Sequence, residues 1–292
     1  MRWKRVQGRG DMEDRRGQGG GMFGGGGMPI PIPMGKAGGG LGIIIAIVAA
    51  LLLGGNVLGG GADSGFSPGS LDTAPPAGSE SEAARGDDTV FEFTKFVSKD
   101  AQDVWTDIFT KADRQYPRAP VVTFTSGTQT GCGPASSATG PFYCPADNKV
   151  YLDLTFFQQL SQRFGAPGDF AAAYVIAHEI GHHVQSVLGI EGNVRRQQRE
   201  DPNNANLYLV RLELQADCFA GVWAHSTYQR GLLEEGDIEE GLGAAAAVGD
   251  DRLGARSREQ WTHGSAALRT EWFRKGFDSG DPNDCDTGSV DI

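Results

Sequence analysis

The sequence predicts a mainly helical α+β domain over residues 89–292, set behind one N-terminal transmembrane helix and a flexible linker. Three observations carry this. An uncharged apolar run precedes residue 62; apolar residues recur at helical spacing through most of the chain after residue 89; and only two short runs are rich in β-branched and aromatic residues.

Residues 1–40 are rich in Gly, Arg and Pro, with glycine runs at 19–21 and 24–27, and hold too little apolar surface for a core, so they read as a flexible cytoplasmic arm. No charge interrupts residues 37–62, and Leu41 to Leu53 is their apolar heart. Residues 41–60 thus read as a membrane-spanning helix, about 20 residues being enough to cross a bilayer. A cleaved signal peptide is the alternative, but the polar stretch ahead of the run is longer than a usual n-region and favours an uncleaved anchor. Arg2, Lys4, Arg5, Arg9, Arg15, Arg16 and Lys36 precede the span, whereas acidic residues dominate after it. This bias predicts a single-pass cell-membrane protein, N-terminus cytoplasmic and main domain extracytoplasmic. Residues 61–88, rich in Ser, Pro and Gly, read as the linker.

Within the domain, Val97, Ala101, Val104, Trp105, Ile108, Phe109 and Ala112 mark a helix over 97–116 that ends at Pro117. Val121–Thr125 and Lys149–Asp153 read as strands of a small sheet. Helices follow over 156–164, from Asp169 to the stop at Gly189, over 206–230, over 237–248, and over 265–277 with Leu268, Trp272, Phe273 and Phe277 facing inward. All four cysteines lie beyond residue 60. Cys132 and Cys144 bracket a short loop that a disulfide closes, leaving Cys218 and Cys285 as the second pair; a cysteine metal site is the competing reading, but no C-x-x-C spacing is present.

The chemistry concentrates in Ala177-His178-Glu179-Ile180-Gly181-His182-His183. At 3.6 residues per turn, His178 and His182 share a helix face and can hold one zinc ion, with Glu179 beside them as a general base; this H-E-x-x-H arrangement points to metal-assisted hydrolysis. A catalytic zinc takes three protein ligands, and Glu213 is the candidate for the third. Asp217, one turn further along the same face, is placed to accept the other ring N–H of a ligand histidine. His263, in the turn Thr262-His263-Gly264-Ser265, is a candidate for stabilising a developing oxyanion, with a capping or surface role as its alternative. A helical step of about 100° turns His183 off the metal face. His225 and Tyr143 have weaker claims.

Several stretches together resemble the bacterial neutral zinc metallopeptidase family: Gly140-Pro-Phe-Tyr-Cys144-Pro, Tyr151-Leu-Asp153, Gly168-Asp-Phe-Ala, His178 through Gln185, Arg211 through Gly221, and Thr262 through Ser265. The resemblance extends over nearly the whole chain. It implies a membrane-anchored zinc peptidase of zincin-like fold, one catalytic Zn2+ on His178, His182 and Glu213, and a peptide or protein substrate. Two further readings stand beside it: a zinc-stabilised envelope scaffold without activity, and a hydrolase of a non-peptide amide in the cell wall. The formal net charge of −11 disfavours nucleic-acid partners.

Overall fold

The structure, a computed structural model, describes residues 1–8, 10–17, 79–162, 165–255 and 257–291. The membrane span expected at 41–60 lies outside the described residues, as does most of the linker. Among the described residues no helix is long and apolar enough to cross a membrane.

The N-terminal stretch departs from expectation. Its described residues are no flexible arm: Met12–Asp14 form a strand, β1, and Met1 and Met12 are buried. β1 pairs in parallel with β2 (Val121–Phe124), Met12 opposite Val121, and the ladder continues through Arg15 N–H to Thr123 O at 2.8 Å. Trp3 packs edge-on against Phe93. Two of the basic residues that bias the topology have acidic partners here: Arg15 meets Glu13 at 2.7 Å and Arg16 meets Asp14 at 2.8 Å. Composition misses this because a three-residue strand gains its hydrogen bonds only from its neighbour.

The main sheet runs β1-β2-β6-β5, with β6 at Lys149–Asp153 and β5 at Phe142–Cys144. β2 and β6 are parallel, Val121 opposite Val150, while β5 runs antiparallel to β6 as the far edge. A separate hairpin, β3 (Gly127–Thr130) with β4 (Gly133–Ser136), turns at Cys132, and the Cys132–Cys144 disulfide ties that turn to β5.

Seven helices complete the described residues. The first, α1, spans Ser79–Lys111 and so takes up the end of the expected linker. It stops ahead of Pro117, at Asp113 in a left-handed conformation (φ 54°). α2 (Thr155–Gln162) starts where Asp153 accepts the Thr155 N–H at 2.9 Å. α3 (Asp169–Val187) is the central rod, buried on nearly every side from Phe170 to Gly181. Asp169 lies inside its first turn, and the Phe170 N–H donates to Glu240 at 3.1 Å. α4 (Ile190–Glu200) follows Gly189 directly and was not foreseen; it has little apolar pattern and carries a Glu191–Arg195 pair at 2.5 Å. α5 (Ala205–Gln229) and α6 (Asp237–Ala247) pack on α3, and α7 (Ala266–Ser279, capped by the Ser265 side chain) packs on α5 and α6.

The core joins α3, α5 and α7 through Phe170 stacked on Trp223 and Tyr174 edge-on to Phe273. Each fully buried large side chain of this kind contributes roughly 1.5–3 kcal/mol. α5 and α7 approach to backbone contact. A Cβ on Gly221 would stand 2.1 Å from the Phe273 carbonyl oxygen, and one on Gly276 2.0 Å from that of Cys218. Only glycine permits this crossing, which brings α7 against the face of α5 that carries Glu213 and Asp217. The Cys218–Cys285 disulfide then fastens the C-terminal tail to α5.

Candidate metal centre

The site is the contact between α3 and α5. Gly181 allows it: a Cβ there would meet the Ala216 carbonyl oxygen at 3.1 Å. One α3 turn presents His178 and His182 with ring centroids 4.7 Å apart, and α5 presents Glu213 to both. His178 Nε2 lies 3.2 Å from Glu213 Oε2, and His182 Nε2 lies 3.4 Å from Glu213 Oε1. One ligand atom from each residue falls within 4.8 Å of the others.

The opposite nitrogens are committed elsewhere. His178 Nδ1 lies 2.8 Å from Asp217 Oδ1, and since a carboxylate only accepts, that nitrogen carries the proton. His182 Nδ1 lies 2.8 Å from Gln185 Oε1, whose amide nitrogen donates to Leu212 O at 2.7 Å. Both Nε2 atoms therefore turn toward a buried carboxylate, an arrangement that requires positive charge between them: protons, or one shared cation. Ligand atoms around a tetrahedral zinc with bonds of 2.0–2.1 Å stand about 3.3 Å apart. The observed separations of 3.2 and 3.4 Å, each to a different oxygen of Glu213, are of that size.

The electrostatics of these side chains agree. Burial by itself lowers the His178 pKa, but the charge and hydrogen bond of Asp217, joined by Glu213, outweigh it and raise the imidazole to about 9. His182 is raised in the same way by Glu213. Burial opposes ionisation of Glu213, yet His182 and His178 hold its carboxyl well below the usual range.

Glu179 follows His178 on α3 and is 8% exposed, with no hydrogen-bond or ion-pair partner for its carboxylate among the described residues. His263 stands in the turn before α7. Asp250 builds that turn: its Oδ2 accepts the backbone N–H groups of Thr262, His263 and Gly264 at 2.7, 2.7 and 2.9 Å, and its Oδ1 lies 3.2 Å from His263 Nδ1. His183 stays off the metal face, bonded to Tyr143 and to the Pro117 carbonyl at 2.6 Å. His225 caps the Phe277 carbonyl at 2.7 Å and does not join the site.

Four residues at or near the site were not singled out in the sequence: Gln185, Tyr174, Asp250 and Arg269. Arg269 left a trace, a charge on the helix face of Trp272 and Phe273. Such a residue needs a buried acid, but the sequence does not say which one.

A mainly helical fold with a small mixed sheet, and an H-E-x-x-H helix facing a glutamate on a second helix, define a zinc metallopeptidase class of site. The family model described as "Putative neutral zinc metallopeptidase" matches residues 1–288, and the chain belongs to this family. It is similar to "Uncharacterized protein YpfJ" of Escherichia coli (strain K12), 43% identical over 297 residues that cover 98% of each chain. It is also similar to "Uncharacterized protein Mb2605" of Mycobacterium bovis, 48% identical over 191 residues covering 60% of this chain and 64% of that one. No solved structure matches the chain.

Proposed function

We propose that this protein is a zinc-dependent peptidase in which His178, His182 and Glu213 hold the ion and Glu179 is the general base. One observation carries the reading: a nearly buried Glu179 carboxylate, unpartnered among the described residues, on the residue next to His178, whose ring converges with His182 and Glu213. Bound zinc supplies a Lewis acid that lowers the pKa of water and polarises a carbonyl. Glu179 accepts the proton of the attacking water and passes it to the leaving amine, so that its carboxylate is regenerated. In its protonated form His263, whose Nδ1 lies 3.2 Å from Asp250 Oδ1, donates from Nε2 to the developing oxyanion.

Two disulfides support an oxidising compartment for the domain. Attachment to the membrane through residues 41–60 remains part of the proposal, with one condition. Paired strands lie about 4.8 Å apart, whereas a bilayer core is about 30 Å thick. A cytoplasmic N-terminus with the domain outside therefore requires β1 to leave the sheet. The arrangement that keeps β1 paired places residues 1–17 on the same side as the domain.

The test is incubation of zinc-loaded full-length protein with a diverse peptide library. The expected result is cleavage that falls by about 10²–10⁴-fold in Glu179→Gln, the usual contribution of a general base, with zinc retained at one ion per chain. Equal cleavage by wild type and variant sinks the assignment.

A further inference from the structure

α7 carries an arginine in its apolar face. Arg269 shares that face with Trp272, Phe273 and Gly276 and is 2% exposed. Burying a guanidinium costs several kcal/mol unless it is fully paired. Its partner is Asp217, itself completely buried. Arg269 Nε donates to Oδ2 at 2.8 Å and Nη2 to Oδ1 at 2.9 Å, a two-pronged grip that fixes the carboxylate plane. The Tyr174 hydroxyl donates to the same Oδ1 and receives Arg269 Nη2 at 3.2 Å. The remaining approach to Oδ1 is taken by His178 Nδ1, and Arg269 Nη1 is anchored to the Val248 carbonyl at 3.3 Å.

The geometry has a direct consequence for the histidine. Asp217 and Glu213 lie one turn apart on α5, two buried acids on one face. With both oxygens of Asp217 gripped, this acid cannot rotate toward an ion at Glu213, and its Oδ1 becomes a fixed acceptor for the His178 ring. The charges are weighted in the same sense: Arg269 meets Asp217 at 2.8 Å and Glu213 only at 3.9 Å, so its charge goes mainly to Asp217.

We propose that Arg269 is a positioning residue of the metal centre: by clamping Asp217 it holds His178 in the ring orientation and tautomer that aim Nε2 at the ion. This rests on the reading of His178 as a zinc ligand. The closest contacts of Arg269 are with Asp217, at 2.8 and 2.9 Å, while His178 Nδ1 and Glu213 Oε2 stand further off at 3.5 and 3.9 Å, so its main effect passes through that carboxylate.

The experiment is a zinc titration of metal-stripped full-length protein against a chromophoric chelator, with a parallel Co2+ titration read by its visible absorption. Arg269→Gln is expected to weaken zinc binding by about 10–100-fold, the range for partners that orient ligand histidines, and to alter the Co2+ spectrum. Arg274→Gln, on the exposed side of α7, leaves both unchanged. Because the two residues act as one unit, Arg269→Gln in an Asp217→Asn background is expected to cost less than about threefold more. Arg269→Lys keeps the charge but loses the two-pronged grip, and an intermediate loss from it supports the clamp if Arg269→Gln does not fold. Tight zinc binding by wild type with no change in a folded Arg269→Gln or Arg269→Lys overturns the inference alone, as does a full multiplication of the two single losses in the double variant. Failure of wild type to bind zinc overturns the metal-site reading, and this inference with it.

Discussion

The paired helices α3 and α5 and the N-terminal stretch 1–17 contrast in how they are encoded. The helices declare themselves: His178 and His182, or Glu213 and Asp217, are four residues apart, and their apolar neighbours mark a buried face before any contact is known. Residues 1–17 show no period, yet Met1 and Met12 reach the core and β1 becomes an edge of the main sheet. A helix closes its own hydrogen bonds, whereas a short strand has none until a partner arrives. The contrast teaches that low-complexity composition is weak evidence against order when an edge strand stands ready to be extended.

Breaking the helix side should cost most. Replacing Cys218 and Cys285 by Ala opens a closure spanning 67 residues and is expected to lower stability by about 4 kcal/mol, seen as a fall in the denaturant midpoint; the same change at Cys132 and Cys144, 12 residues apart, should cost about 3 kcal/mol. Equal stability of oxidised wild type and the Cys218/Cys285 variant contradicts this. Gly276→Val tests the crossing that carries Arg269 to Asp217. With the Cys218 carbonyl oxygen 2.0 Å from the new Cβ, the helices must separate, at a cost of about 3 kcal/mol in thermal or chemical unfolding. A well-folded Gly276→Val with wild-type stability means the two helices are not at backbone contact.

Met12→Asp tests the other region. It places a charge where a buried side chain faces the core, and a loss of about 2 kcal/mol is expected, with zinc affinity changed by less than about threefold. If stability is unaffected, residues 1–17 are not part of the folded domain, and the cytoplasmic N-terminus returns as the better reading. An N-terminal epitope that resists protease in intact cells, while one on the domain is cut, points the same way.

The smallest effect is one of pH on the metal-free protein. His178 is raised from 6.5 to about 9, so its contribution is fully present below pH 6.5 and is lost as pH rises through 9. Chelator-treated protein should therefore melt at a lower temperature at pH 9.5 than at pH 6.5. Zinc-loaded protein should lack that decline, because an ion in place of the proton removes the titration. A metal-free melting temperature that rises across this window speaks against the charged His178–Asp217 pair.

Much of the site was readable in advance. The H-E-x-x-H spacing, Glu213 and Asp217 are local patterns, and the structure brings all of them together. The partners that steady them were not readable. Gln185 belongs to an ordinary helical stretch; Asp250 acts through three backbone N–H groups of a turn 12 to 14 residues away; and Arg269 meets Asp217 across 52 residues of sequence. α4 was missed for a related reason, since its helix rests on a charge pair and on packing against α5 instead of on apolar spacing.

By itself the sequence determined the elements whose bonds are internal and the chemistry whose spacing is a helical turn: the two helices that carry the histidines and the carboxylates, the side chains they share on one face, and the cysteines available for closure. Tertiary structure decided what depends on approach between distant segments: the pairing of β1 with β2, the glycine-permitted crossing of α5 and α7, and the burial of Arg269 against Asp217. The physical reason is that a periodic pattern constrains a residue's neighbours within one turn, while the partner of a buried charge or an edge strand is chosen only when the whole core closes.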